Sequence, residues 1–480
     1  MKRFKSLSIL LALLWSAATI QAQPENVVFI LSDDHRYDFM GFHERAPDFL
    51  ETPSLDRMAS GGMHLRNAFV TTALCSPSRA SILTGRYAHN HGVVDNNRPV
   101  PQGTTFFPQL LQDAGFETAF VGKWHMGGES DEPQPGFDHW VSFPGQGVYY
   151  DPMLNVNGER SRFEGHTSDV LTDQALAYLD GRSTDRPFFL YLSHKAVHAQ
   201  FEPAARHEGR YDDVEPAYPV TMANTERNYR GKPTWVREQR YSWHGVDYMY
   251  HGALVYDQFY RRYAETLLSL DESVGRVLDY LEENGLAENT LVVYMGDNGF
   301  MFGEHGLIDK RAAYEESMRV PMLAYAPGYV EAGSAVDAMV LNTDIAPTML
   351  SLAGIEIPQE IDGRSFLPLL AGESIADWRT EFVYEYFWEY NFPQTPTVYA
   401  LRGDRYKYMY YHGLWGINEL YDLDLDPLER HNLIESPGHV DRAREMRNRL
   451  FDILEADDAV DVKFLPPGDF QADERLLDAE

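Results

Sequence analysis

The chain has 480 residues, 44% hydrophobic and 24% charged, an ordinary globular composition with enough material for a large core, expected in two domains. Lys and Arg total 41 against 73 Asp and Glu, a formal charge of −32, and the basic side is eight lysines to 33 arginines. That balance excludes a general binder of nucleic acid or anionic lipid, and the single cysteine, Cys75, excludes an intramolecular disulfide or a multi-cysteine metal site.

The chain opens on a basic Met1-Lys2-Arg3-Phe4-Lys5, an apolar run from Leu7 to Trp15 and small residues up to Ala22. This pattern predicts a secretory signal peptide over 1–22, too short for a permanent anchor. No cysteine near Ala22 suggests a lipoprotein. Export without a stable membrane anchor, to the periplasm or beyond, is therefore expected. Losing the leader removes three basic residues and no acidic one, which makes the mature charge −35.

Near-continuous apolar runs at Asn26–Leu31, Phe188–Leu192 and Leu291–Met295 read as buried central strands. Between the last two, Tyr263, Leu267, Leu270, Val274, Leu278 and Leu281 recur at helical spacing, and Asn284-Gly285 closes the pattern. Shorter helices are predicted at 104–114, 170–181 and 343–353. Strands alternating with helices define an α/β sheet covered by helices. After about residue 372 aromatics crowd into Tyr384–Trp388 and Tyr406–Tyr411, which alternate like antiparallel strands, ahead of a helix at 441–455 and an acidic tail. The expected organisation is a leader (1–22), a large α/β domain (23–372) and a smaller C-terminal α+β domain with an antiparallel sheet (373–480).

In open α/β sheets function gathers at the carboxyl ends of strands. Two such ends are acidic here: Asp33-Asp34 and Asp297-Asn298. If their strands are neighbours, these side chains form an oxygen cluster suited to Ca²⁺ or Mg²⁺; either pair alone would more simply cap a turn. Cys75 is followed by Ser76-Pro77-Ser78-Arg79 and an apolar helical run ending near Gly85. Pro77 near the first helical position puts Cys75 at a positive helix N-terminus, which favours a thiolate or a bound anionic substrate.

Cys75-Ser76-Pro77-Ser78-Arg79 resembles the C-x-P-x-R signature of the type I sulfatases, and Thr72 to Arg86 continues the likeness. Asp33-Asp34, Asp297-Asn298, Gly122-Lys123-Trp124-His125, the His198 and Lys310 segments, and Glu419–Leu423 with Asp426-Pro427 resemble further motifs of that family in the same order. The resemblance implies an alkaline-phosphatase-like fold with a large mixed sheet. It also implies that a separate maturation enzyme converts Cys75 to formylglycine, and that Asp33, Asp34, Asp297, Asn298 and residue 75 hold one Ca²⁺. One hydroxyl of the hydrated aldehyde would attack sulfur, and the second would expel sulfate from the sulfated enzyme. Under the same resemblance Lys123 and Lys310 clamp the sulfate, Arg79 holds the cluster, His125 assists the diol, and His198, with Lys310, protonates the leaving alcohol.

Tyr87–Val93, Tyr149-Tyr150-Asp151 and Asn157-Gly158 are similar to N-acetylglucosamine-6-sulfatases and to bacterial polysaccharide sulfatases, which implies a sulfated carbohydrate substrate. Tyr229, Trp235, Trp243, Trp388 and Tyr390 are candidates to stack on sugar rings, with Arg237 and Arg240 meeting further anions, although most such aromatics pack in cores. Two other functions fit the sequence. One is a phosphonate or phosphate ester hydrolase of the same superfamily; the other is a non-catalytic glycan-binding relative in which Cys75 is never modified.

Overall fold

The computed structural model describes residues 23–128, 130–414 and 416–460; the leader expected at 1–22 and the acidic tail beyond 460 lie outside them. Ten strands make the main sheet among these residues: β1 (Asn26–Ser32), β2 (Met63–Leu65), β3 (Glu117–Lys123), β4 (His139–Phe143), β5 (Met153–Val156), β6 (Glu159–Arg162), β7 (Phe188–Ser193), β8 (Thr290–Gly296), β9 (Met322–Tyr325) and β10 (Ser334–Val336). Their order is β10-β2-β9-β8-β1-β7-β3-β4-β5-β6. The three apolar runs of the sequence lie side by side, β1 running parallel to both β7 and β8. Antiparallel pairing of β9 with β8 and of β5 with β4 makes the sheet mixed.

Alternate residues of β1 enter different cores, as the two-residue period of a strand requires. Val28 and Ile30 pack with the helices α1 (Pro53–Gly61), α4 (Thr167–Gly181) and α5 (Tyr256–Glu283). Val27, Phe29 and Leu31 pack with α2 (Cys75–Thr84), α3 (Phe107–Asp113) and α6 (Ile345–Leu352). Helix α5 begins at Tyr256, seven residues before the first apolar position read from the sequence, and ends at Glu283, capped by Asn284 with Gly285 at φ +66°. No helix among the described residues is long and apolar enough to cross a membrane.

The C-terminal strands β11 (Glu381–Tyr386), β12 (Val398–Gly403), β13 (Tyr406–Tyr411) and β14 (Glu419–Asp422) form an antiparallel sheet in that order. Tyr384, Tyr386, Ala400 and Met409 join the core around α2, while Val383, Leu401 and Leu420 meet Met446, Leu450 and Leu454 of α7 (Val440–Ala456). The carboxylate of Glu419 accepts hydrogen bonds from the hydroxyls of Tyr314 (3.1 Å), Tyr411 (2.5 Å) and Tyr421. The Glu419–Asp422 motif is thus a buried tie between this sheet and the segment before β9.

Close packing beneath the site rests on Gly122, at φ +125° in β3. A Cβ there would lie 1.8 Å from the carbonyl oxygen of Ser193. Gly122→Ala should lower stability by about 3 kcal/mol, read as a shifted denaturant midpoint, because neither backbone can yield without displacing Lys123 or Ser193.

Candidate active site

The carboxyl ends of β1 and β8 are adjacent, with Ser32 opposite Gly296. That register brings Asp33, Asp34 and Asp297 together, with one oxygen of each within 4.8 Å of the others. The Asp34 amide donates to Asp297 Oδ1 at 3.0 Å, and Asn298 Nδ2 donates to Asp34 Oδ1 at 2.7 Å. Burial pushes Asp34 and Asp297 up from the usual carboxylate range; burial acts on Asp33 too, but Lys123, with help from His198, Arg79 and Lys310, overcomes it and holds Asp33 well below that range.

Helix α2 carries the cysteine motif and is buried on every side, although half of it is polar. Thr84 Oγ1 donates to the Ala80 carbonyl of its own helix at 2.7 Å, but the three serines and Arg79 have partners that an isolated helix could not supply. Ser76 Oγ donates to the His125 carbonyl, Asn342 Nδ2 donates to Ser78 Oγ at 3.0 Å, and Ser81 Oγ meets His91 Nε2 at 3.0 Å. Cys75 is the first helical residue and Pro77 the third, so the proline stands two positions deeper than its usual place at a helix start. The Cys75 Sγ lies 3.5 Å from Asp33 Oδ1, and burial, partly offset by Lys123, pushes the thiol up to about 12. Burial thus favours the thiol over the thiolate at the unmodified residue.

Arg79, 1% exposed, is the strut of the site. Its Nε and Nη2 lie 3.0 and 2.8 Å from Asp297 Oδ2, and Nη1 donates to the Lys123 carbonyl at 2.6 Å and to Ser193 Oγ at 2.7 Å. The guanidinium so ties α2 to the ends of β3, β7 and β8. Lys123 Nζ donates to Asp33 Oδ2 and to Gln146 Oε1 (2.5 Å), and Lys310 Nζ donates to Asp34 Oδ1. His198 Nε2 is 3.8 Å from Asp34 Oδ2, and its carbonyl accepts from the Tyr149 hydroxyl at 2.7 Å. Burial, and then the Lys123 ammonium, hold both His125 and His198 well below the usual histidine value.

Two buried oxygens, Asp34 Oδ2 and Asn298 Oδ1, accept no hydrogen bond. Unsatisfied oxygens beside two further carboxylates form the donor set of a hard divalent cation, so the residues present fit a metal ion.

His125, His198 and Lys310 open onto a pocket of about 340 Å³ whose rim includes Trp243, Tyr250 and Phe392. All ten site residues named from the sequence therefore gather at one end of the sheet. Of the aromatics and arginines proposed for sugar, Trp243 lines this pocket. Others serve the framework: Trp235 packs edge-on to Tyr411, while Arg240 holds Asp247 at 2.8 Å and the Tyr229 hydroxyl at 3.2 Å. Asp151 receives the Gly165 amide and Asn157 the Trp140 amide, bonds that join separate parts of the chain. Sequence reasoning missed Gln146, Ser193, Lys195 and the set His244, Asp309 and Arg311, in which Asp309 Oδ2 lies 3.0 Å from His244 Nε2 and 2.5 Å from Arg311 Nη1. Asp309 and Arg311 flank Lys310 and so could have been marked; nothing in the sequence marks Gln146.

A buried carboxylate cluster at strand ends, faced by lysines and by a cysteine-led helix, defines a hydrolase of anionic esters. The family model for sulfatases matches residues 25–355, and one for the N-sulphoglucosamine sulphohydrolase C-terminal region matches 303–456. The chain belongs to the sulfatase family and is a sulfuric ester hydrolase. It is 33% identical to the N-acetylglucosamine-6-O-sulfatase of Bacteroides thetaiotaomicron over 88% of this chain and 85% of that protein. A solved complex of a protein with its substrate D-glucosamine-2-N,6-O-disulfate superposes with a TM-score of 0.80 at 32% identity, covering 92% of this chain and 99% of the other. The phosphonate monoester hydrolase of Silicibacter pomeroyi shares the fold, with a TM-score of 0.74 at 23% identity over 90% of this chain and 95% of that one.

Proposed function

We propose that this enzyme removes sulfate from a sulfated carbohydrate, with a 6-O-sulfated glucosamine unit as the favoured group, after Cys75 has been converted to formylglycine by a maturation enzyme. The observation that carries the proposal is the meeting of Cys75 with three carboxylates and two lysines at one end of the sheet, beside a pocket lined by His125, His198 and Lys310. Likeness to glucosamine sulfatases supports the sugar. The leader-like residues 1–22 support export, to the periplasm or beyond, where such polymers are met.

Asp33, Asp34, Asp297 and Asn298, with residue 75, would hold a Ca²⁺ ion. When bound, that ion supplies positive charge for an ionised oxygen at residue 75 and for the sulfate. Formylglycine, as its hydrate, supplies two hydroxyls on one carbon, one to attack sulfur and one to release sulfate. The chain's own side chains do the rest. Asp33, Asp34 and Asp297 are matched in charge by Lys123, Lys310 and Arg79, so the divalent ion leaves a surplus that an anionic ester neutralises. Lys123 and Lys310 orient the sulfate, His125 takes up the proton from the hydroxyls of residue 75, and His198 protonates the leaving oxygen. Arg79 fixes the whole arrangement.

With matured enzyme, glucosamine 6-sulfate should be hydrolysed with a kcat/KM at least about 100-fold above that for the corresponding phosphate. Parallel initial rates on the two esters test this. A preference for phosphate would favour the phosphonate and phosphate hydrolases of the same fold. Retained thiol mass at residue 75 after co-expression with a maturation enzyme would favour a non-catalytic glycan binder.

A further inference from the structure

Five lysines fall among the described residues. Four are held by carboxylates: Lys123 by Asp33, Lys310 by Asp34, Lys232 by Glu419 at 3.6 Å, and Lys407 by Glu429 at 2.6 Å. Lys195 is the exception. It is only 5% exposed, yet no carboxylate among the described residues lies within ion-pair distance of its ammonium, which rests on the face of Tyr149, 4.6 Å from the ring centroid. Withdrawing an ammonium from water without a counter-charge is strongly unfavourable, and a cation–π contact recovers only part of the loss. A structural role alone would be served better by an apolar side chain.

Its location ties this charge to the site. Lys195 lies two residues past the end of β7, between Ser193, which binds Arg79, and His198. The His198 amide donates to the Lys195 carbonyl at 3.0 Å, and the Val197 amide to the Asp33 carbonyl at 2.7 Å. Tyr149, beneath the ammonium, donates to the His198 carbonyl at 2.7 Å. One short turn therefore carries the acid candidate His198, pairs with a metal-ligand candidate, and is braced by the ring on which Lys195 lies. Burial, and then Lys123, push the Lys195 ammonium down to about 8, while Asp33, Asp34 and Glu202 pull it the other way, so it lies inside the field of the carboxylate cluster. With the three aspartates already matched by Lys123, Lys310 and Arg79, Lys195 is an additional positive charge.

We propose that Lys195 is a positioning residue for the anionic ester: its uncompensated charge, fixed on the face of Tyr149, draws the sulfate group into the site without touching the reacting atoms. The proposal rests on the sulfatase reading above. Chemically, it assigns to this lysine affinity for a sulfate-type anion. A unit charge several ångströms away, at the effective dielectric of a protein site, changes anion affinity by about tenfold.

The test uses matured, calcium-loaded enzyme with Lys195→Met, which keeps length and removes charge, and Lys195→Arg, which keeps charge. Two quantities are read: binding of inorganic sulfate by calorimetry, and the split between KM and kcat on glucosamine 6-sulfate. Lys195→Met should weaken sulfate binding and raise KM about tenfold, with the smaller part of the loss in kcat. Lys195→Arg should recover sulfate affinity to within about threefold of wild type. Tyr149→Phe, which keeps the ring and removes the bond to His198, should leave sulfate binding in place and lower kcat. Wild-type sulfate affinity in Lys195→Met, or an arginine variant as weak as the methionine one, overturns the proposal. Should Lys195→Met not fold, Lys195→Gln against Lys195→Arg carries the same contrast. Calorimetry is independent of turnover, so an enzyme inactive on sulfate esters would sink the function while the sulfate titration still decides Lys195.

Discussion

Cys75→Ser should lose multiple turnover by at least about 1,000-fold while keeping its melting temperature and its capacity for calcium. The substitution is nearly isosteric at the first residue of a helix whose other side chains are all satisfied by neighbours, so the fold has no reason to respond. The aspartate oxygens and Asn298 are untouched, so the metal set loses at most one weak member. What disappears is chemistry. A serine has one hydroxyl; if it attacks sulfur, the resulting ester carries no second hydroxyl on the same carbon to expel sulfate. At best the variant reacts once and stays sulfated, visible as a mass increase on the peptide containing residue 75. Wild-type turnover in this variant would remove the two-hydroxyl mechanism.

Asp297→Ala should fail in two ways at once. Its carboxylate is both a candidate metal ligand and the partner of Arg79, which is 1% exposed and lies 2.8 and 3.0 Å from it. Removing one member of a buried pair costs about 3–5 kcal/mol, and here it leaves the guanidinium with only the more distant Asp33 Oδ2 at 3.9 Å. The variant should therefore melt several degrees lower and lose at least about 100-fold in kcat/KM, and excess Ca²⁺ should not restore activity, because a ligand and a negative charge are lost together. Asp297→Asn retains an acceptor for Arg79 and should recover part of the stability but not the activity. Calcium titration of activity, run beside thermal melts of both variants, separates the two effects. Full rescue of Asp297→Ala by calcium would show that Asp297 does not bind the metal.

Legibility in the sequence followed the locality of the signal. Strands β1, β7 and β8 were visible because central strands buried on both faces are written as unbroken apolar runs. Helix α5 was visible because a long helix against one sheet face repeats its apolar residues every three or four positions. Helix α2 was marked by Pro77, the apolar run and Gly85, but its burial on every side was not. Its serines and Arg79 give no apolar stripe, and its burial depends on Asn342, His91, His125 and Asp297, which come from four other parts of the chain. Cys75, Lys123 and Lys310 were marked by short motifs, whereas Gln146 and Lys195 were not; an amide or an amine becomes notable only when burial removes its alternatives in water. Conversely, Trp235 and Arg240 carried the residue types of a sugar site and belong to the framework.

By itself the sequence determined the chemistry available: one cysteine in a specific motif, two acidic strand ends, few lysines, and a net charge that confines anion binding to one place. Those are covalent and compositional facts, fixed before folding. Tertiary structure alone decided that the acidic ends are adjacent, through the register of β1 against β8, and that Arg79 meets Asp297 across 218 residues of chain. It alone decided that Lys195 is a charge without a carboxylate among the described residues. Pairing and desolvation depend on which distant segments share a boundary, and the field at a point is the sum over groups that only the fold brings within reach.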